Sequence, residues 1–275
     1  MTEESGTEMG AWLGLADQLC VVTGGGSGIG AETARQFASV GATVAILDRD
    51  ANAAATVAAE ITGKGRRAIG LSVDVGRPDA VRAAALQIRR DLGPCRVLVN
   101  NAAARHRDAL LDISLETWNQ VLAVNVTGAL MCTQAFASQM IEAGRGGSII
   151  HVGSILGHHP QVDAGAYCAS KAGLGMLSRS LALELSEHHI RSNVVSPGFT
   201  RTPANEGIYR DPETAAARER LIPARRVATP ADLAQVILFL ASERSGYING
   251  EDISVDGGLG STLMGRVPRP GQKNT

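Results

Sequence analysis

The chain has 275 residues, of which 44% are hydrophobic, 19% charged and 3% aromatic, and its formal net charge is −1. That is enough apolar material for a sizeable core, and it predicts one domain over residues 1–275, with a core at about 15–258 and short extensions at both ends. Near-neutral charge and few aromatics exclude electrostatic or base-stacking binding of nucleic acid, and give no basis for an anionic membrane partner.

The first ten residues, "MTEESGTEMG", carry three Glu and no Lys or Arg, so they do not read as a secretory leader. No apolar run is expected to approach the roughly 18 residues that span a bilayer, and a cytoplasmic protein is predicted. Strand candidates then follow in order: 19–23, 42–48, 67–75, 96–102, 147–154, 190–198 and 251–258. Between the early ones, 29–40, 50–63 and 78–92 repeat apolar residues at helical spacing, as do 164–188 and a stretch near 231–241. Strands this apolar, alternating with helices, predict an α/β doubly wound seven-stranded parallel sheet with helices on both faces. Cys20, Cys95, Cys132 and Cys168 are dispersed, with neither disulfide nor zinc-ligand spacing, and no metal is expected. The tail "GRVPRPGQKNT" is expected to be irregular or docked on a neighbouring subunit.

At the first strand–helix junction stands "VVTGGGSGIG", with five glycines in ten residues. Gly24, Gly28 and Gly30 give the spacing TGxxxGxG at the mouth of a helix beginning near Ile29. A turn there can require positive φ, and a Cβ would hold a pyrophosphate away from the free N–H groups of the helix. Asp48 ends the second strand, where a carboxylate accepts hydrogen bonds from the adenosine ribose and repels a 2′-phosphate. NAD is therefore expected rather than NADP; Arg49, the next residue, opposes that choice because it could grip the phosphate.

"YCASK" places Tyr167 and Lys171 four apart on one helix face. A phenol with a pKa near 10 is a poor base at neutral pH, and a neighbouring ammonium favours the phenolate. Ser154 lies at the end of the fifth strand, and in a doubly wound sheet ligands bind beyond such ends.

With "DV" (74–75), "NNAA" (100–103), "VNVTG" (124–128) and "SPGFTRT" (196–202), these motifs recur in order over about residues 15–258. The chain resembles the single-domain branch of the short-chain dehydrogenase/reductase family, a Rossmann fold. The resemblance implies that Tyr167 is the acid/base, that Ser154 holds the substrate oxygen, and that Lys171 lowers the Tyr pKa and bonds the nicotinamide ribose. It implies that Asn125 completes a tetrad by holding a water that links Lys171 to solvent. On the cofactor side it implies contacts from Gly24, Ser27, Gly28, Ile29 and Gly30 around the pyrophosphate, and from Asp48 and Arg49 at the ribose. Asp74 and Val75 would meet the adenine. Asn100, Asn101 and Ala102 would lie at the fourth strand, and Pro197, Gly198, Thr200 and Thr202 around the nicotinamide. Ala103 departs from the family's usual Gly and would narrow the space beside the ribose. A homotetramer or homodimer is implied, with helices 118–142 and 164–188 as the interface and Gly173 and Gly175 allowing close approach.

The expected chemistry is interconversion of a secondary alcohol and a ketone on a small-molecule substrate. Arg105, His106, Ile155, His159, Gln161 and Phe199 are candidates for the substrate wall, and the polar segment after "SPGFTRT" is expected to be a mobile loop that closes over it. Arg105, His106, His158, His159 and Arg201 together suggest an anionic substrate group. Two further readings stay open: an NADPH-dependent 3-ketoacyl (carrier protein) reductase, and a catalytically silent dinucleotide-binding protein.

Overall fold

The structure, a computed structural model, describes residues 11–262. The expected docked tail at 265–275 and the first ten residues of the N-terminal extension lie outside the described residues.

Seven strands pair in parallel: β1 (Leu19–Thr23), β2 (Thr43–Asp48), β3 (Ala68–Ser72), β4 (Val97–Asn100), β5 (Gly147–Val152), β6 (Ile190–Pro197) and β7 (Asp252–Val255). Their order in the sheet is β3-β2-β1-β4-β5-β6-β7. The helices are α1 (Gly28–Ser39), α2 (Ala51–Thr62), α3 (Pro78–Leu92), α4 (Leu115–Ala143), α5 (Gly165–Glu184), α6 (Glu206–Tyr209), α7 (Pro212–Leu221) and α8 (Pro230–Ala241).

Side chains of successive strand residues leave opposite faces, so β1 feeds two cores. Cys20 and Val22 pack with Phe37 of α1, Val57 and Ile61 of α2, and Leu233 and Ile237 of α8. Val21 packs with Ile88 of α3 and with Phe136 and Met140 of α4 on the other side. Every residue of β1 is buried, which is why the run carries no polar alternation. Burying each such Phe or Ile side chain contributes about 1.5–3 kcal/mol, and the two layers clamp the sheet from both sides.

α4 is long and apolar enough to cross a membrane by length and composition, with a mean hydropathy of 1.4 over its best window. Its many Ala, Val and Leu residues raise the average without forming an unbroken run; in the fold Cys132, Phe136, Ala137 and Met140 lie against the sheet.

Connections wind one way from β1 toward β3 and the other way from β1 through β4 toward β7, so the turns after β1 and β4 diverge and leave a crevice between them. β3, β4 and β5 end two to three residues before the expected 75, 102 and 154, at Ser72, Asn100 and Val152, because the chain turns there into the crevice wall.

Candidate active site

A cavity of about 1210 Å³ opens beyond the carboxyl ends of the strands and is the larger of the two best-formed cavities among the described residues. Its first end is built by backbone. Thr23 Oγ1 donates to Val99 O at 3.3 Å and accepts from the N–H groups of Asn101 and Ala102 at 3.0 and 3.1 Å. Asn101 Nδ2 donates back to Thr23 O and Gly24 O at 3.0 and 2.9 Å. The glycine turn and the "NNAA" turn are thus one clamped unit.

Gly24 has φ +61°, and a Cβ on it would sit 2.8 Å from the Ala102 Cα. Gly28 has φ +53° and leaves open space up to Thr202. Gly30 does not line the cavity: its face lies against the Gly24 carbonyl, where a Cβ would fall 2.2 Å from the oxygen. Its expected place at the pyrophosphate is corrected to this packing role, which lets α1 approach the turn. The N-terminus of α1 opens toward the cavity at Ser27, Gly28 and Ile29, with no side-chain cap hydrogen bond from Ser27 and no acid in the first turn. Free N–H groups with a cradle that any Cβ would fill fit a dinucleotide pyrophosphate.

Beside this cradle, Asp48 Oδ2 accepts from Gly26 N at 2.9 Å and Oδ1 from Asp50 N at 3.0 Å. Arg49, Asp74 and Val75 line the same end. Asp74 is held by Gly76 N, which donates to Oδ1 at 2.9 Å. Asn100 departs from its expected place toward the cofactor: it is buried behind the wall, donating to Thr133 Oγ1 at 3.2 Å and meeting His151 Nδ1 at 3.3 Å.

At the middle of the cavity stand Ser154, Tyr167 and Lys171. Ser154 follows β5, and its hydroxyl accepts from Leu156 N at 3.1 Å, capping a short turn. Lys171 is 4% exposed, and its Nζ donates to Val152 O at 2.7 Å and lies 5.5 Å from the Tyr167 ring centroid. Burial pushes the Lys171 pKa down to about 8. Burial also pushes the Tyr167 phenol up from its ordinary value, while the Arg105 guanidinium and then the Ser154 hydroxyl pull it down. Two cations flank the phenol at almost the same range, the Arg105 Cζ at 5.4 Å and the Lys171 Nζ at 5.5 Å from the ring centroid.

Asn125 sits in a π-helical turn, Ala123–Gly128, inside α4, an irregularity common at functional sites. Its side chain is committed to protein: Oδ1 accepts from Ala104 N at 2.7 Å, and Nδ2 donates to Ala104 O and Ser170 Oγ, both at 2.9 Å. It pins the segment that carries Arg105.

Pro197, at the end of β6, and Gly198, Thr200 and Thr202 after it run along the wall. A capping box holds Thr202: its N–H donates to Asn205 Oδ1 at 2.8 Å, and Asn205 Nδ2 donates to Thr200 O at 2.8 Å. Of the expected substrate wall, Arg105, Ile155, His159, Gln161 and Phe199 line the cavity and His106 does not, because its ring turns on an exposed loop toward Asp108, 4.0 Å away. The expected basic cluster is divided likewise. His158 is taken by Asp252 at 2.8 Å and Arg201 by Glu206, and neither lines the cavity.

Arg218 and Tyr209, which sequence reasoning missed, do line it. The segment expected as a mobile loop is folded into α6 and α7. Asp211 caps α7 by accepting from Thr214 N at 3.1 Å, and Pro212 occupies the first turn, a start signal present in the sequence. Arg218 stacks 4.7 Å from the Phe199 ring centroid and donates to Tyr209 Oη at 3.1 Å, which ties the helix over the cavity.

A doubly wound sheet with a glycine cradle at one end of its crevice and a Ser, Tyr, Lys group at its middle defines a dinucleotide-dependent oxidoreductase. Comparison with known proteins agrees. The family model described as "Enoyl-(Acyl carrier protein) reductase" matches residues 24–260. The chain is 38% identical over 246 residues to cis-4-hydroxycyclohexanecarboxylate dehydrogenase of Sinomonas cyclohexanicum, covering 89% of this chain and 97% of that one. Among solved structures, it is similar to a short-chain type dehydrogenase/reductase from Mycobacterium marinum, with 38% identity, a TM-score of 0.84 and coverage of 89% and 96%. It is also similar to a gluconate 5-dehydrogenase from Burkholderia cenocepacia in complex with NADP and tartrate, with 31% identity, a TM-score of 0.85 and coverage of 90% and 97%. The chain belongs to the short-chain dehydrogenase/reductase family and is an oxidoreductase acting on CH–OH groups.

Proposed function

We propose that this chain, as a single catalytic domain, uses NAD to interconvert a secondary alcohol and a ketone on a small molecule. The observation that carries the cofactor choice is the Asp48 carboxylate, fixed by two backbone N–H groups at the cavity end beyond β2. Each of its oxygens keeps acceptor capacity for a ribose hydroxyl, and its charge opposes a 2′-phosphate.

Gly24, Ser27, Gly28 and Ile29 would hold the pyrophosphate, Asp74 and Val75 the adenine, and Asn101, Ala102, Thr200 and Thr202 the nicotinamide half. Bound there, the nicotinamide supplies hydride acceptance in oxidation and hydride donation in reduction. Ser154 holds the substrate oxygen, and the Tyr167 phenolate takes its proton and becomes the phenol as the C–O bond becomes C=O and the hydride leaves carbon; reduction runs the same steps in reverse, with the phenol returning the proton. Lys171, buried and fixed on the Val152 carbonyl beside Tyr167, would lower the Tyr167 pKa and bond the nicotinamide ribose. Arg105 favours the phenolate. Leu183 and Met176 of α5 are exposed apolar side chains, which supports a homotetramer or homodimer built on that helix.

Arg49 lines the same end as Asp48 and supports a second reading, an NADPH-dependent 3-ketoacyl reductase. Titration of the purified protein with NADH and NADPH, followed by quenching of Trp12 and Trp118, separates the two. At least tenfold tighter NADH binding is expected; tighter NADPH binding would replace the first reading with the second.

A further inference from the structure

The charges along the cavity are segregated. Its acidic lining residues are Asp48, Asp50 and Asp74, all at the adenosine end. Around Ser154 and Tyr167, among the described residues, the charged lining side chains are Lys171, Arg105, Arg107 and Arg218, with His159 close by.

Two of these arginines stand out by their neighbours. Arg201 is occupied by Glu206 and Arg226 by Asp232, both just outside the cavity. Arg105 and Arg218, among the described residues, have no carboxylate partner. Arg105 touches only neutral groups, the Tyr167 ring and Gln161 Oε1 at 3.5 Å. Arg218 has the rings of Phe199 and Tyr209 and the Tyr209 hydroxyl. Guanidinium groups stacked on rings are held in place while their N–H edges stay free, and the fork of such edges matches a carboxylate in two bonds. The Arg105 segment is itself fixed, since Asn125 holds both backbone groups of Ala104.

We propose that the substrate of this site is a short hydroxy acid or keto acid whose carboxylate is gripped by Arg105, with Arg218 of the α7 cover closing on it. The inference rests on the secondary-alcohol reading given above for its carbinol. Substrate oxygen at Tyr167 and carboxylate at Arg105 are then neighbours, because the Arg105 Cζ lies 5.4 Å from the Tyr167 ring centroid. A carboxylate that near the carbinol belongs to a compact molecule, and 2- and 3-hydroxy acids are the shortest that carry both groups.

The test is calorimetric titration of the full chain, saturated with its nicotinamide cofactor, using 3-hydroxybutyrate and 3-hydroxybutyramide as paired probes, with lactate and lactamide as the shorter pair. In at least one pair the acid is expected to bind ten times or more tighter than the amide. Arg105→Met is expected to erase that preference, Arg218→Met to reduce it, and Arg105→Lys to recover part of it, since a point charge replaces the fork. Equal binding of acid and amide, no binding of either acid, or an unchanged preference in Arg105→Met would each overturn the proposal. Circular dichroism confirms that the variants fold. Turnover of the bound acid is read separately. An acid that binds through Arg105 but is not oxidised would leave this inference standing and defeat the alcohol-oxidation reading instead.

Discussion

The two ends of the cavity are built from different materials. At the adenosine end the wall is mostly main chain: the turn after β1, the N-terminus of α1, and carboxylates held by backbone N–H groups. At the substrate end it is side chains from three separate segments, Arg105 after β4, Ile155 to Gln161 after β5, and Phe199 to Arg218 after β6. Main-chain walls serve one ligand shape and tolerate no added atoms, whereas side-chain walls can change ligand by changing residues without disturbing the sheet. The difference teaches where this chain spends its sequence freedom: binding of the cofactor is set by the fold, and the choice of substrate by the loops laid over it.

Tyr167→Phe should give the largest effect and confine it to the substrate end. Removing one phenolic oxygen deletes the proton acceptor, and a loss of about 10³-fold in kcat/KM is expected for alcohol oxidation. NADH affinity by fluorescence titration should stay within about twofold. A comparable loss of cofactor affinity would mean that the two ends are not separate.

Gly30→Ala probes the other end. Its Cβ would press on the Gly24 carbonyl, a backbone atom that cannot swing away as a side chain could. Strain of about 1–3 kcal/mol is expected, read as a lower Tm together with NADH binding weakened by roughly one to two orders of magnitude. A normal Tm and normal affinity would show that the turn is softer than its geometry implies.

Much of the adenosine end was legible in sequence, for a physical reason: its parts are local. TGxxxGxG occupies eight consecutive residues, and Leu19–Thr23 forms the strand expected of it because five apolar or β-branched residues before a glycine turn permit little else. Tyr167 and Lys171 were legible as a pair because four residues make one helical turn. Arg218 was not, since nothing near it in sequence reports that α7 folds back onto Phe199. His106 and Arg201 misled for the opposite reason. Each has an acid close by in sequence, Asp108 and Glu206, that takes its side chain away from the cavity. Asn125 was visible as a motif, but its attachment to Ala104 depends on the widened turn of α4, which no residue pattern announced.

Asp48→Asn should have a smaller and more selective effect. It keeps an acceptor for the ribose hydroxyl and removes the Asp48 charge, leaving Arg49 beside a 2′-phosphate at that strand end. The ratio of kcat/KM with NADPH to that with NADH is expected to rise by about tenfold, in line with loss of one partly exposed unfavourable charge contact worth roughly 1 kcal/mol. An unchanged ratio would place cofactor choice elsewhere in the wall.

The smallest effect expected is a displacement of a pH profile, and it bears on whether the substrate end acts through charge. Burial holds the proton on Tyr167, and Arg105 opposes burial. In oxidation the phenol must be deprotonated to accept the alcohol proton, so activity climbs as pH rises through the Tyr167 pKa; in reduction the protonated form donates, and activity falls over the same range. Removing the Arg105 charge raises that pKa, so in Arg105→Met both limbs should move to higher pH. At a fixed pH on the rising limb this appears as a several-fold loss of oxidation. The measurement uses a neutral secondary alcohol, so that no carboxylate contact is lost at the same time, and is repeated at 0.05 and 1 M salt. Because Arg105 is exposed, high salt should shift the wild-type limb upward toward that of the variant. A limb that stays in place in the variant would leave the phenol's acidity to Ser154, Lys171 and the bound cofactor, and would reduce Arg105 to a substrate contact alone.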